Sequence, residues 1–162
     1  MQMCKEIPLT KGQVALVDSD DYDRVSQWKW HAHWDGSGNR FYAQRSAREG
    51  KHSKSFSMHR VILGLGYGDC RQVDHINLNG LDNRRENLRI VSAAQNRQNR
   101  PIARNNTTGF KGVCAAGNRY RAQISVGGKR IRLGYRLTAE SAWRELYLPA
   151  AVKYHGEYAR VE

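Results

Sequence analysis

The sequence predicts an α+β fold made of two small modules joined by a linker. Short segments of alternating apolar and polar residues are separated by loops rich in Gly, Asn and Asp, as in small antiparallel sheets. Helical periodicity occurs in short stretches between them. We therefore expect a small N-terminal antiparallel sheet followed by a β-β-α unit, and then a three-stranded antiparallel sheet packed on one helix.

A change of composition near residue 101 divides the chain. Residues 1–100 contain 16 Lys and Arg against 11 Asp and Glu, whereas residues 101–162 contain 11 against 4, so the shorter part is the more basic. The stretch 99–109 is polar, contains Pro101 and has no helical or strand period. We place the domains at 1–100 and 109–162, with a linker at 101–108 and the β-β-α unit at about 70–99.

The net charge indicates a polyanionic partner. The chain of 162 residues has 27 Lys and Arg against 15 Asp and Glu, a formal charge of +12. No run reaches the roughly 18 apolar residues of a membrane span, and charged residues stand where a signal peptide has its apolar core. We expect a cytoplasmic protein without membrane contact. Cys4, Cys70 and Cys114 form no C-x-x-C pair, which predicts reduced, unligated thiols.

The first 66 residues predict several strands and one helix. An apolar run at 14–17 is followed by acidic and Ser residues that supply a turn or a helix cap. From Trp28 to Trp34 the period is two, which indicates a strand with a tryptophan face. A loop at 35–39 leads to strands at 41–46 and 54–57, and apolar residues at helical spacing predict a helix over 57–65 ended by Gly66.

The segment 73–99 is the most informative part of the chain. A strand entering Asp74-His75, a turn-rich loop around Asn79-Gly80, a strand at 88–91 and a helix from about Ala93 make a β-β-α unit. Ser92 and Gln95 form a capping box, so Asn96 lies about one turn into the helix. Singly, an Asp-His dipeptide or a loop Asn is more often a matter of backbone geometry than of chemistry.

Together these residues suit phosphodiester hydrolysis, which needs a base for water and a cation for the developing charge. Their order resembles the HNH endonuclease family, in particular its phage and intron-encoded homing branch with a ββα-metal finger. The match lies in Asp74-His75, Asn79-Gly80, Asn83, Asn87-Leu88-Arg89 and Asn96, and Met58-His59-Arg60-Val61-Ile62 looks like the family's H-R helix. The resemblance implies catalytic roles for His75 and Asn87, one divalent metal ion (Mg²⁺ or Mn²⁺) on Asp74 and Asn96, and DNA contacts from His59 and Arg60.

The C-terminal module should present a basic sheet face. Strand-like segments at 110–114, 119–126 and 129–135 are separated by turn signals, and in the last two apolar residues alternate with Arg and Gln. Thr138 is a good N-cap, and the apolar spacing from Trp143 to Tyr154 predicts a helix over the apolar face. Pro149 should kink or split that helix near Glu145.

This module resembles ethylene-response-factor DNA-binding domains. The matching pieces are Phe110-Lys111-Gly112-Val113, Tyr120-Arg121-Ala122-Gln123-Ile124, Lys129-Arg130-Ile131-Arg132-Leu133-Gly134-Tyr135, Thr138-Ala139-Glu140-Ser141-Ala142 and His155-Gly156-Glu157-Tyr158-Ala159. That family lays its sheet in the major groove, which implies DNA contacts from Lys111, Arg121, Gln123, Arg130 and Arg132.

The sequence as a whole therefore predicts a metal-dependent homing-type HNH endonuclease, a monomer acting on double-stranded DNA, of phage or mobile-element character in a bacterial host. Two alternatives stay open: a non-catalytic DNA-binding regulator and, on charge alone, an RNA-binding protein.

Overall fold

A computed structural model describes residues 3–36, 39–49, 52–99, 102–103 and 105–159. The chain divides into two compact units, Met1–Val91 and Ser92–Glu162. Each is an assembly of small antiparallel sheets and short helices, so the expected α+β class is confirmed. No helix in the described ranges is long and apolar enough to cross a membrane.

In the residues that the structure describes, the first unit has three separate antiparallel sheets and two α-helices. β1 pairs with β2, β4 lies between β3 and β5, and β6 pairs with β7. In chain order the elements are β1 (Cys4–Pro8), β2 (Val14–Asp18), α1 (Ser19–Ser26), β3 (His31–Asp35), β4 (Arg40–Glu49), β5 (His52–Ser57), α2 (Met58–Ile62), β6 (Gln72–His75) and β7 (Leu88–Val91). The last strand has the bounds that the sequence predicts.

One apolar core joins these elements. Val17, Val25, Met58 and Ile62 are almost inaccessible to solvent, and they come from β2, α1 and α2. Burial of such side chains contributes about 1.5–3 kcal/mol each. The two helices are thereby fixed against the first hairpin.

The predicted tryptophan strand is wrong in its first half. β3 begins at His31, because the Trp30 indole nitrogen donates a hydrogen bond to the Val25 carbonyl (2.8 Å) at the end of α1. Trp34 lies in the strand but is 44% exposed, with its ring 4.8 Å from that of Phe41. The alternating pattern therefore predicts the strand from His31 onward but not how the tryptophans pack. Trp30 is held by a hydrogen bond to the end of a helix and does not lie on a sheet face.

An acidic side chain fastens both helices to the segment before β7. Asp21 in α1 is 3% exposed and accepts hydrogen bonds from Arg24 (2.6 Å) and from Arg85 (2.7 and 2.8 Å). Both arginines also donate to the Ile62 carbonyl at the end of α2. Burial alone would raise the pKa of Asp21, but the hydrogen bonds from Arg85 and Arg24 outweigh it and hold the pKa below its usual range.

The second unit opens with α3 (Ala93–Gln98), whose N-terminus has the predicted capping box. Its sheet has the order β10-β9-β8, with β8 at Val113–Ala116, β9 at Arg119–Val126 and β10 at Lys129–Arg136. β8 begins later than predicted. Gly112 adopts φ +73° and its carbonyl accepts from the Gln123 N–H (2.8 Å), which makes residues 110–112 a turn.

The helix that covers this sheet is split, as Pro149 predicts. α4 (Ala139–Ala142) starts at Thr138, whose hydroxyl accepts from the Ser141 N–H, and α5 (Leu148–His155) contains the proline in its first turn. Between them, 143–147 forms a π-helical turn. Pro149 has no N–H to offer Glu145, and the wider turn accommodates the missing hydrogen bond.

Gly80 provides a test of how tightly the first unit is packed. A Cβ at this position would meet the Phe41 carbonyl oxygen and lie 2.7 Å from two ring carbons of Tyr42. We expect Gly80→Ala to destabilise the unit by about 1–3 kcal/mol, because neither backbone nor ring can move away without disturbing the sheet. Denaturant unfolding followed by circular dichroism would measure it. Gly66→Ala is the matched control, since a Cβ there meets nothing within 4 Å, and an equal loss in both variants would contradict this explanation.

Candidate active site

The end of β6 places two titratable side chains on opposite faces of a two-stranded ribbon. Asp74 pairs in register with Arg89 and His75 pairs with Leu88. Both are nearly inaccessible, with exposures of 5% for Asp74 and 3% for His75. A buried carboxylate and a buried imidazole on consecutive residues are costly unless they serve packing or chemistry.

The Asp74 carboxylate is charge-compensated across the ribbon. Arg89 donates to its Oδ2 from Nε (3.0 Å) and from Nη2 (2.8 Å), and both side chains are largely shielded from water. Such a charge-assisted pair fixes the orientation of the carboxylate. It also keeps a hard oxygen donor in place beside His75.

His75 lies in a cluster of rings. Its ring centroid is 5.0 Å from that of His59 in α2, with the planes perpendicular, and 5.7 Å from that of Tyr42 in β4. Burial lowers the pKa of His75 to about 4, although the side chain of Asn83 and the charge of Asp74 act in the opposite direction. His75 is therefore a neutral imidazole at physiological pH.

His59 is neutral for the same reason. Burial, followed by the neighbouring His75, lowers the pKa of His59 to about 3. Its Nδ1 is buried and meets no hydrogen-bond partner among the described residues. The His59 ring is thus a direct neighbour of the His75 ring.

The loop between β6 and β7 is held by amide side chains. Asn87 accepts from the Asn77 N–H (2.9 Å) and donates to the Asp82 carbonyl (2.8 Å), so both ends of its amide bind loop backbone. The loop is also attached to β2, because the Leu16 N–H donates to the Leu81 carbonyl and Leu16 accepts from the Asn83 N–H. Asn87 therefore helps to fix the loop that follows His75.

Arg60 is engaged within the first unit. Its guanidinium donates to the Asp69 carbonyl (2.6 Å) and to the Arg71 carbonyl (2.7 Å), which braces the segment leading into β6. That His59 and Arg60 contact DNA stays a prediction. Both residues are partly exposed to solvent.

Two residues that lie near the His75 imidazole are not among the site residues predicted from the sequence. Tyr42 contacts His59 and His75 from the middle strand of a separate sheet, and no local pattern shows that contact. Asn83 is fully buried near the imidazole of His75, and the sequence indicates its importance only through its place in the order of loop residues.

Asn96 lies in α3 of the second unit, where its N–H donates to the Ser92 carbonyl (3.0 Å). In the part of the chain that the structure describes, no three His, Cys, Asp or Glu side chains cluster to hold a metal ion. Mg²⁺ usually takes one or two protein carboxylates and completes its shell with water and substrate phosphates. The oxygen donor of Asp74 fits that kind of ligation.

The second unit presents a basic sheet face. Arg132 pairs with Gln123 and Arg130 with Ser125, and the neighbouring inner positions Ala122 and Ile124 are buried against the helices. Arg121 lies on the same outer face, with Nη2 3.4 Å from the Cys114 sulfur. Lys111 lies in the turn before β8 and donates to the Gln98 carbonyl.

A β-bulge changes the register of β10 at Leu133. Arg132 faces Gln123 and Gly134 faces Ala122, so one residue of β10 has no partner in β9. Beyond the bulge, Tyr135 pairs with Arg121 on the outer face and is 40% exposed. Because of the bulge, Tyr135 lies on the outer face, whereas simple alternation would have turned it inward.

The two buried histidines should make stability depend on pH. In the unfolded chain each histidine has a pKa near 6.5, so below that value the unfolded state binds more protons and stability falls as the medium becomes more acidic. Between pH 7 and pH 5 we expect a loss of about 2 kcal/mol or less for each histidine.

Unfolding in denaturant at several pH values would measure this loss. His59→Phe should remove about half of it, whatever the variant's stability at pH 7. His33→Phe, at an exposed position of β3, should leave the pH dependence unchanged. A loss of equal size in the wild-type chain and His59→Phe would count against a buried neutral His59.

Comparison with known proteins gives one match. Residues 57–98 match a family model described as HNH endonuclease, and this range runs from the residue before α2 to the end of α3. No curated protein and no solved structure matches the chain. Residues 57–98 are thus similar to HNH endonucleases, which supports a nuclease that acts on DNA.

Proposed function

We propose that the protein is a metal-dependent DNA endonuclease of the homing HNH type, which nicks or cuts double-stranded DNA. The observation that most supports this is His75, a buried neutral imidazole next to Asp74 within the segment that matches HNH endonucleases. A neutral imidazole can accept a proton, and an adjacent carboxylate can hold a cation at the scissile phosphate.

His75 acts in this proposal as the general base. It removes a proton from the water that attacks phosphorus, and its lowered pKa keeps it ready to do so throughout the physiological range. Its 3% exposure limits access to a water held at the bound phosphate and keeps bulk solvent away. Asn87 supports this step indirectly, by fixing the loop that follows His75.

Asp74 and Asn96 are the proposed ligands of one Mg²⁺ or Mn²⁺ ion. Carboxylate and amide oxygens are the donors that these hard cations prefer. When bound, the ion supplies Lewis-acid stabilisation of the charge that develops on the phosphate and the leaving oxygen. Arg89 holds the Asp74 carboxylate in a fixed orientation.

We infer that the second unit supplies most of the affinity for DNA, as an ethylene-response-factor-like module, and that the protein acts as a monomer. The proposed contacts in this unit are Lys111, Arg121, Gln123, Arg130 and Arg132. In the first unit, His59 and Arg60 are also proposed to contact DNA. Arg130 and Arg132 are exposed on the outer face of the sheet, where the packing of the core does not need them. Cations in such positions neutralise phosphates and position the duplex.

His75→Ala should abolish cleavage and leave DNA binding intact, because the imidazole activates water and does not hold the duplex. The assay would follow conversion of supercoiled DNA containing the flanks of the protein's own gene into nicked or linear forms with Mg²⁺, with a chelator as the blank. His33→Ala is the matched control on exposed β3. Undiminished cutting by His75→Ala would remove His75 from the mechanism, and binding without any cutting by the wild type would favour a non-catalytic regulator.

Changing Arg121, Arg130 and Arg132 together to Ala should weaken binding and flatten its salt dependence. Each lost phosphate contact removes roughly 0.9 from the slope of log affinity against log salt. Binding isotherms over a salt series would measure it, with thermal melts as the folding control. Arg136→Ala serves for comparison, since Arg136 lies in the same strand and is ion-paired to Glu145 (2.6 Å). An unchanged slope in the folded triple variant would show that DNA binds elsewhere.

A further inference from the structure

The ring cluster at His75 is assembled from three elements that are distant in the sequence. Tyr42 comes from β4, His59 from α2 and His75 from β6. The ring centroids are 5.8 Å apart for Tyr42 and His59, 5.7 Å for Tyr42 and His75, and 5.0 Å for the two histidines. Each ring therefore touches both of the others.

Tyr42 is partly buried and closely packed in this cluster. It stands on the middle strand of a three-stranded sheet, where it pairs with His33, and its neighbour Ala43 is 1% exposed. On the side of the β6–β7 loop, Gly80 lies so close that an added Cβ would be 2.7 Å from two carbons of the Tyr42 ring. The ring is thus enclosed by the sheet, the loop and the two histidines.

The strand that bears His75 is a much weaker support. β6 has four residues and is paired to β7 alone, and a two-stranded ribbon of this size is marginally stable by itself. The orientation of an imidazole at its end must therefore come from groups outside the ribbon. Tyr42 is the group that the rigid sheet contributes.

We propose that Tyr42 is a positioning residue for the nuclease reaction, whose ring holds the His75 imidazole in the orientation needed to activate water. The inference depends on the proposed role of His75. It also extends the functional site beyond the segment 57–98, since Tyr42 precedes that segment.

The ring of Tyr42, and not its hydroxyl, makes the contacts with the histidines. The hydroxyl end lies near Arg40, and burial raises the pKa of Tyr42, so the group is an uncharged phenol at neutral pH. A phenylalanine ring would keep the same faces toward His59 and His75. A smaller, branched aliphatic side chain such as leucine would occupy part of the space without the flat surface that limits rotation of the imidazole.

The experiment compares Tyr42→Phe, Tyr42→Leu and wild type in the full chain. Single-turnover cleavage at saturating protein would be measured on DNA containing the flanks of the protein's own gene with Mg²⁺, beside the Kd for the same DNA with chelator. Tyr42→Leu should slow the single-turnover rate by about 10- to 100-fold, the loss that a misplaced reacting group produces, with Kd changed less than about twofold. Tyr42→Phe should retain the wild-type rate.

Phe41→Leu is the matched control, because Phe41 is the adjacent ring in β4 and contacts Trp34 instead of the histidines. Thermal melts would confirm that each variant is folded at the assay temperature. If Tyr42→Leu is not folded, Tyr42→Met, an unbranched side chain that adapts to irregular space, provides the same comparison.

Three results would overturn the inference: a wild-type rate in Tyr42→Leu, an equal loss in Phe41→Leu, or a loss in Tyr42→Phe as large as in Tyr42→Leu. Failure of the proposed function itself has a different signature, which is undiminished cleavage by His75→Ala.

Discussion

The anchoring of the β6–β7 loop is the constraint on which the candidate site depends. The ribbon on either side of the loop has four residue pairs and no core of its own, so its shape is set by the hydrogen bonds of Asn87 and by the attachment to Leu16. A buried hydrogen bond contributes about 0.5–1.5 kcal/mol net, and more is lost when one partner is left unpaired. Because β2 belongs to the main core, its hydrogen bonds to the loop stabilise the loop.

The same constraint explains why Asn is frequent in this segment. The side chains of Asn77 and Asn79 each accept from a backbone N–H two residues on, which no regular strand would satisfy, and Asn77 also donates to the Asp82 carboxylate. Their density reflects the geometry of an irregular loop held in a buried place. The chemistry proposed for the site is assigned to Asp74 and His75, which the loop only has to present.

Local features could be predicted from the sequence, and contacts between distant segments could not. The bounds of β7 and β9, the capping box at Ser92 and the split helix at Pro149 follow from side-chain periodicity and from backbone chemistry within a few residues. The contact of Tyr42 with His75 joins two sheets and depends on how the core closes. The contact of the His59 ring with the His75 ring likewise depends on packing between α2 and β6, which no local pattern shows.

For the charged residues, too, the sequence gives their number, but which of them form ion pairs depends on how the chain folds. In the first unit Arg24, Arg84, Arg85 and Arg89 each pair with an aspartate, so a nearby carboxylate offsets the charge of each. The arginines of the second unit stand on a sheet face. The total charge of +12 therefore overstates the cationic surface of one unit and describes the other better.

In β10, which contains the bulge at Leu133, the core-facing residues and the exposed residues differ in how freely they can be substituted. Residues 131 and 133 are partly buried with the core, whereas Arg130, Arg132 and Tyr135 are exposed on the other side. Substitutions on that exposed side remove no core packing, so they cost little folding free energy. The chain can thus alter the chemistry of three outward positions on one strand while the hydrophobic interior, and with it the architecture of the unit, stays the same.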